Sequence, residues 1–156
     1  MFALFAIVLV GLSMMGANKQ WTTMMQRERE AELLFRGHQY RRAVASYVES
    51  VPGARQYPPS VEALLKDPRT SKRHLRTGYL DPITGGPFLA VQCPTLTDRF
   101  KGVVSSSNSP ALKHDNFPAD YEQFRSAGSY RGWVFQYEPQ PAQPGQRAPA
   151  LPPIPC

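Results

Sequence analysis

The start of this 156-residue chain most constrains its fold, because an uncharged stretch from Met1 to Asn18 passes into a charged segment without turn residues. A helix of that length spans about 27 Å, just under the roughly 30 Å hydrocarbon core of a bilayer. A cleaved signal peptide is disfavoured, since the first basic residue is Lys19 and Met14 and Met15 stand where small residues should precede a cut. A soluble helix that is apolar all round is also disfavoured, because so small a domain rarely covers one. The start therefore predicts a membrane anchor.

The helix is predicted to run on beyond the anchor as one rod, from residue 2 to about residue 50. No proline occurs before Pro52, and Pro52-Gly53 is a strong stop signal. The pattern predicts a transmembrane half at residues 1–20 and an amphipathic half at residues 21–52. One apolar stripe recurs at steps of three and four in the second half, formed by Leu33, Gly37, Tyr40, Val44, Tyr47, Val48 and Val51.

A globular head is predicted over residues 53–138. Ser60 precedes VEALL as a helix cap, and Asp81-Pro82 opens a dense turn signal. Three β-type runs follow, at Phe88 to Cys93, Phe100 to Ser106 and Gly132 to Glu138. A long connection between the last two runs should contain one helical turn near Tyr121 to Phe124. We therefore predict an α+β fold, in which the long N-terminal helix packs on a small three-stranded antiparallel sheet.

The last predicted strand should turn its large rings towards the helix. Alternation along the strand places Trp133 and Phe135 on one face. These rings are expected to bury against the helix stripe at Tyr40, Val44 and Tyr47.

Residues 139–156 are rich in proline and predict a flexible tail that cannot bury a core. The two cysteines, Cys93 and Cys156, lack metal-ligand spacing. A disulfide closing a long loop and a pair of free thiols both remain open from the sequence, because nothing in it fixes the tail near Cys93.

Several segments in order resemble type IV pilin-like proteins, specifically the pseudopilins of type II secretion systems. They are the apolar start FALFAIVLVG, the unbroken passage into REREAELLFRGHQYRRAVASYV, and YPPSVEALLKDP, RHLRTGYLDPITGGPF and YRGWVFQY. Together they cover nearly all of residues 2 to 138. The resemblance implies a single-pass inner-membrane subunit with its head in the periplasm. It further implies a filament that supports protein export, with other pilin-like subunits and inner-membrane secretion components as partners.

The apolar half carries one feature that suits such a filament and one departure from the family. Small residues favour close helix approach in membranes, and Gly11, Ser13, Gly16 and Ala17 are suitably placed. Pilins typically carry a glutamate at the fifth mature position, whereas the first acidic residue here is Glu28.

We also expect that Met1 is not the biological start. A basic upstream leader with a Gly-Phe processing site would explain the missing glutamate. It would also restore a head-outside orientation, which the basic residues after the anchor would otherwise oppose.

No catalytic site is predicted. His38, His74 and His114 share no ligand spacing, and the serines at 105–107 lack a nucleophile-elbow pattern. No cofactor is expected either. A calcium site has weak candidates in Asp115, Asn116, Asp120 and Glu122, but their spacing favours an ordinary polar loop.

The alternative function is a minor type IV pilin-like binding module for adhesion or DNA uptake. The formal net charge of +6 and a basic run, Arg69, Lys72, Arg73, His74 and Arg76, raise that alternative. Nucleic-acid binding would require exposed aromatic residues interleaved with these cations, and only Tyr79 is near. A solvated loop is therefore favoured for the run, and nucleic acid is not expected as a partner.

Overall fold

The computed structural model describes the backbone of residues 2–139 and 154–156 and the side chains of residues 21–139 and 154–156. Helix α1 runs from Phe2 to Glu49, so the prediction of one uninterrupted helix is confirmed. The chain leaves the helix at Ser50 and turns at Gly53, whose φ of +88° favours glycine.

The second half of α1 folds against the head because its apolar residues recur on one face. The predicted stripe is buried at every position except Val51, which is half-buried. Gly37 brings the helix close to the sheet, since a Cβ atom there would lie 2.4 Å from the ring of Phe135. This close approach explains why a glycine interrupts an otherwise bulky stripe.

Helix α2, Val61–Leu65, forms where the sequence predicts it. The hydroxyl of Ser60 accepts a hydrogen bond from the Ala63 N–H (3.4 Å), as expected of an N-cap. Leu64 is fully buried, so this short helix packs on the head and does not stand free.

The sheet is antiparallel, in the order β1-β2-β3, with β1 at Leu89–Gln92, β2 at Phe100–Val104 and β3 at Val134–Gln136. All three strands fall within the predicted runs, and the α+β prediction is confirmed. Phe135 and Val103 are directly paired and both are buried towards α1. Two 3₁₀ helices, Ala119–Ser126 and Tyr130–Gly132, lie in the connection between β2 and β3.

Trp133 and Phe135 are fully buried, as predicted. The ring of Trp133, however, lies among aromatic rings from the connection that precedes it. Its aromatic neighbours are Phe117, Phe124 and Tyr130.

Tyr40 and Tyr47 were predicted to face Trp133 and Phe135, but the aromatic contacts in the described part of the chain do not include those pairs. Tyr40 instead packs edge-on against Tyr79 and Phe88, and Tyr47 packs against His74. The segment between α2 and β1 therefore supplies these ring neighbours of Tyr40 and Tyr47.

The Asp-Pro turn is organised by a buried carboxylate. Asp81 accepts hydrogen bonds from the Ile83 N–H (2.9 Å), the Thr84 hydroxyl (3.0 Å) and the Ser105 hydroxyl (2.7 Å). Because Ser105 follows β2, these bonds tie the turn before the sheet to the end of its central strand.

Cys93 and Cys156 form a disulfide, with a Cα–Cα distance of 4.7 Å. This resolves the alternatives that the sequence left open. The side chains of Ile154 and Cys156 pack against the core, so the last residue of the predicted tail is joined to the end of β1. Residues 140–153 of that predicted tail lie outside the described residues.

Candidate functional site

The described part of α1 begins with an apolar face that the head does not cover. Trp21, Met24, Met25 and Phe35 are 69, 71, 42 and 52% exposed. At about 100° per residue these four side chains lie on one face of the helix, roughly opposite the buried stripe. We call these four residues the outer face of α1.

A buried carboxylate, about two and a half turns beyond Trp21, joins α1 to the head. Glu30 accepts hydrogen bonds from the N–H groups of Leu112 (2.6 Å) and Lys113 (3.2 Å) and from the hydroxyl of Tyr130 (2.9 Å). Gln26 in turn donates to the Tyr130 hydroxyl (2.9 Å). A buried carboxylate with three donors is well satisfied, so Glu30 fixes the loop at residues 110–113 on the helix.

A groove of about 350 Å³ lies between this loop and α1. Its apolar wall comes from Ala31, Leu34 and Leu112, while Arg27 and Lys113 supply positive charge. The groove is completed by Glu30, His114 and Asp115. We call it the basal groove because it lies at the end of the head nearest the first half of α1.

The opposite end of the packed helix is held by Asp67, whose side chain is fully buried. Arg69 donates to Asp67 through both Nε (3.1 Å) and Nη2 (3.0 Å), and Nη2 also reaches the carbonyl of Tyr47 (2.9 Å). Burial alone would raise the pKa of Asp67, but hydrogen bonds from Arg69, Thr70 and His74 outweigh it and hold that pKa well below its ordinary value.

His74 is part of the same cluster. Burial lowers the pKa of His74, although the neighbouring Asp67 partly opposes the shift. With the ring neutral, Nε2–H donates to Asp67 (3.3 Å) and Nδ1 accepts from the Ser46 hydroxyl (2.8 Å). The cluster therefore joins α1 to the loop after α2 without needing a charged histidine.

The basic run consequently offers less charge to a partner than its sequence indicates. Arg69 and His74 are occupied by Asp67, whereas Lys72, Arg73 and Arg76 are exposed. Tyr79 is half-buried and packs on Tyr40, so it is not a stacking platform for a base.

The calcium candidates are held in other interactions. Asp115 pairs with Arg125 (2.8 Å), and Asp120 pairs with Arg41, which lowers the pKa of Asp120. Asn116 has a φ of +59°, and its N–H donates to Asp115 (2.7 Å).

Glu122, the last calcium candidate, is exposed on the first 3₁₀ helix. Over the described residues, no group of three or more His, Cys, Asp and Glu side chains is placed to hold a metal ion. The three histidines are apart in space as well as in sequence. His38 meets the Tyr121 hydroxyl (2.8 Å), His74 meets Asp67, and His114 lines the basal groove.

The predicted transmembrane half, residues 1–20, and its small residues Gly11, Ser13, Gly16 and Ala17 lie outside the described side chains. Among the described residues, the structure contains no helix with the length and apolar character needed to cross a bilayer. The membrane-embedded half of the predicted fold therefore stays a prediction.

The Gln26 and Glu30 contacts and the outer face of α1 were not identified from the sequence, although the residue spacing contained a signal for each. Gln26 and Glu30 extend the buried stripe at steps of four and three into Leu33, which marks them as residues facing the head. The outer face could have been found from its own spacing, since Met24 and Phe35 lie three turns apart on the side away from Leu33.

No protein-family model matches the chain, and no curated protein and no solved structure matches it either.

Proposed function

We propose that this protein is a pilin-like structural subunit of a type II secretion pseudopilus. In this proposal the first half of α1 anchors the chain in the inner membrane and the head lies in the periplasm. Copies of the chain assemble with other pilin-like subunits and inner-membrane secretion components into a filament. The subunit supports protein export by its shape and contacts, and no catalytic role is proposed for it.

The observation that carries the proposal is the uncovered outer face of α1. Trp21 and Met24 are the most exposed large apolar side chains among the described residues. They lie on the helix just before the head begins at Gln26. Exposed apolar side chains at this position do not stabilise an isolated head, whereas a filament of parallel helices would bury them between neighbouring subunits.

The fold arrangement gives a second support. One helix, Phe2–Glu49, extends well beyond the sheet that covers its second half. At 1.5 Å per residue, the part before Gln26 adds about 36 Å to the head. A protruding helix of this kind is suited to association along a common axis.

The disulfide between Cys93 and Cys156 gives a third support, this time for location. Structural disulfides persist in oxidising compartments such as the bacterial periplasm and are rare in the cytosol. An oxidised head is thus consistent with a head outside the inner membrane.

A site-specific photo-cross-linker at Met24 tests the proposal in membranes that contain the full chain. We expect adducts between copies, visible as a ladder of multiples of 17.5 kDa. The matched control places the same cross-linker at Leu96, which is also exposed but lies in the head beyond β1. A ladder from Leu96 of equal strength, or none from Met24, would contradict assembly through the outer face.

Fractionation provides a separate test of the proposed location. The chain should remain in the membrane pellet after carbonate washing, and added protease should reach the head in spheroplasts. Recovery in the soluble fraction would contradict the anchor.

A further inference from the structure

The basal groove combines an apolar wall with positive charge at the end of the head nearest the first half of α1. Arg27 is exposed on α1 and Lys113 is half-buried on the facing loop. Among the described residues, neither side chain lies within salt-bridge distance of a carboxylate. Lys113 places its ammonium 5.2 Å from the centre of the Phe117 ring. Both cations are thus available to an anionic ligand.

The carboxylates around the groove do not cancel this charge. Glu30 accepts three hydrogen bonds and is buried, and Asp115 is paired with Arg125. Glu28 is exposed on the same turn of α1 and opposes Arg27, while Arg29 adds a further positive charge. The surroundings of the groove therefore keep a positive excess.

The position of the groove along α1 decides what can occupy it. If residues 1–20 cross the membrane, Arg27 lies about 10 Å above the edge of the hydrocarbon core. The polar layer of a bilayer leaflet is itself roughly 5 to 8 Å thick. An arginine side chain from that height can reach the lipid phosphates.

We propose that the basal groove docks the head on anionic lipid headgroups, with Arg27 and Lys113 contacting the phosphates. Ala31, Leu34 and Leu112 give the docked surface its apolar wall. This inference rests on the proposed function, because it takes residues 1–20 as the anchor. Docking would fix the height and tilt of the head above the membrane before the subunit is extracted into a filament.

The test compares two lysines of the full chain in vesicles. Lys113 lies at the base beside Glu30, whereas Lys72 lies beside the Asp67 cluster, which meets α1 at Tyr47, about 25 Å away along the helix. The chain is reconstituted into phosphatidylcholine vesicles or into vesicles with one quarter phosphatidylglycerol. The acetylation rate of each lysine is then followed by mass spectrometry.

We expect phosphatidylglycerol to slow acetylation of Lys113 at least about threefold and to leave Lys72 unchanged, and 0.5 M salt should abolish the difference. Arg27→Glu should remove the protection, while the matched variant Arg73→Glu should keep it. Equal rates of Lys113 in the two lipids would overturn the proposal. Equal slowing of both lysines would also overturn it, because the head would then adhere without using the groove.

Two further outcomes separate this inference from the proposed function. If the chain fails to float with phosphatidylcholine vesicles, the anchor fails. Phosphatidylglycerol vesicles added to the unanchored chain then test the groove alone, and slowed acetylation of Lys113 still supports it. If glycerol phosphate in solution protects Lys113 as well as the vesicles do, the groove is a site for a soluble anion and the proposal of a membrane surface is wrong.

Discussion

The two ends of the described part of α1 contain similar apolar side chains in opposite surroundings. From Leu33 to Val48 the stripe is buried beneath the sheet and its loops. From Trp21 to Met25 the large apolar residues are exposed. Apolar spacing alone therefore identifies a helix face but not the surface that covers it. For the stripe from Leu33 to Val48, that surface is the head of the same chain.

The transition between the two regions takes place at polar residues. Gln26 and Glu30 make the first contacts with the head, through Tyr130 and the loop at 110–113. Because a buried carboxylate requires donors, Glu30 specifies where the head begins more strictly than an apolar residue would. If the comparison is correct, substitutions in the packed region should change folding and those in the exposed region should change association.

The largest effect is expected from Phe135→Ala. Phe135 is fully buried against Gly37 and packs on the rings of Tyr121 and Phe124. Truncation should lower the free energy of unfolding by about 4 kcal/mol, through lost transfer energy and a residual cavity. Urea titration monitored by the fluorescence of buried Trp133 measures this change in the free energy of unfolding. A loss below about 1 kcal/mol would show that the ring does not fill the space between β3 and the helix.

Asp67→Asn should cost about 3 kcal/mol, because it leaves the guanidinium of Arg69 without its charged partner. The cost should also depend on pH. The native carboxylate has a lowered pKa and binds fewer protons than the unfolded one, so its stabilisation is present above the unfolded pKa of about 3.8 and is lost as pH falls below it. The difference in unfolding free energy between wild type and variant should therefore narrow below about pH 4.

His74 adds a second pH-dependent contribution to the free energy of unfolding, at a higher pH than that of Asp67. Because its pKa is lowered by burial, the native ring stays neutral where the unfolded ring takes up a proton. Wild type should accordingly begin to lose stability as pH falls below 6.5, before Asp67 titrates. His74→Gln should reduce that first loss and leave the part that His38 contributes, because burial lowers the pKa of His38 as well. A flat stability profile between pH 7 and pH 5 in wild type would contradict the buried placement of the ring.

Gly37→Ala should destabilise by about 2 kcal/mol, although alanine is the better helix former by about 1 kcal/mol. The new methyl group would lie 2.4 Å from Phe135. The double variant with Phe135→Leu tests the cause, since the smaller side chain should relieve part of the clash. If the two costs simply add, the close approach of helix and sheet is not responsible.

The helices and strands could be predicted from the sequence, but the side-chain contacts between them could not. The length of α1, the Ser60 cap and the three strands follow from periodicity, caps and turn residues, which are local signals. The ring neighbours of Trp133 and Tyr40 depend on how a long loop folds back, and no local pattern encodes that. The disulfide was undecided for the same reason, because pairing depends on the distance between two remote residues.

The candidate site was harder to predict than the fold. From the sequence, the candidate binding sites were two charged loops, the basic run and residues 115–122, because clustered charges can bind an oppositely charged partner or ion. In the folded chain Arg69, His74, Asp115 and Asp120 are paired with nearby groups. The proposed function rests instead on exposed apolar side chains of α1, and their exposure could be recognised only once the position of the head on α1 was known.

The smallest effect on folding is expected in the exposed region. Trp21→Ser should change the free energy of unfolding by less than about 0.5 kcal/mol, because the side chain is 69% exposed. The same substitution should remove most cross-links between copies from a probe at Met24, since a neighbouring helix would lose its largest apolar contact. Leu33→Ser is the contrasting variant, because it should unfold the head by placing a hydroxyl in the core. If Trp21→Ser destabilises the monomer as strongly as Leu33→Ser does, both regions of α1 pack within one chain and the outer face is not an interface between subunits.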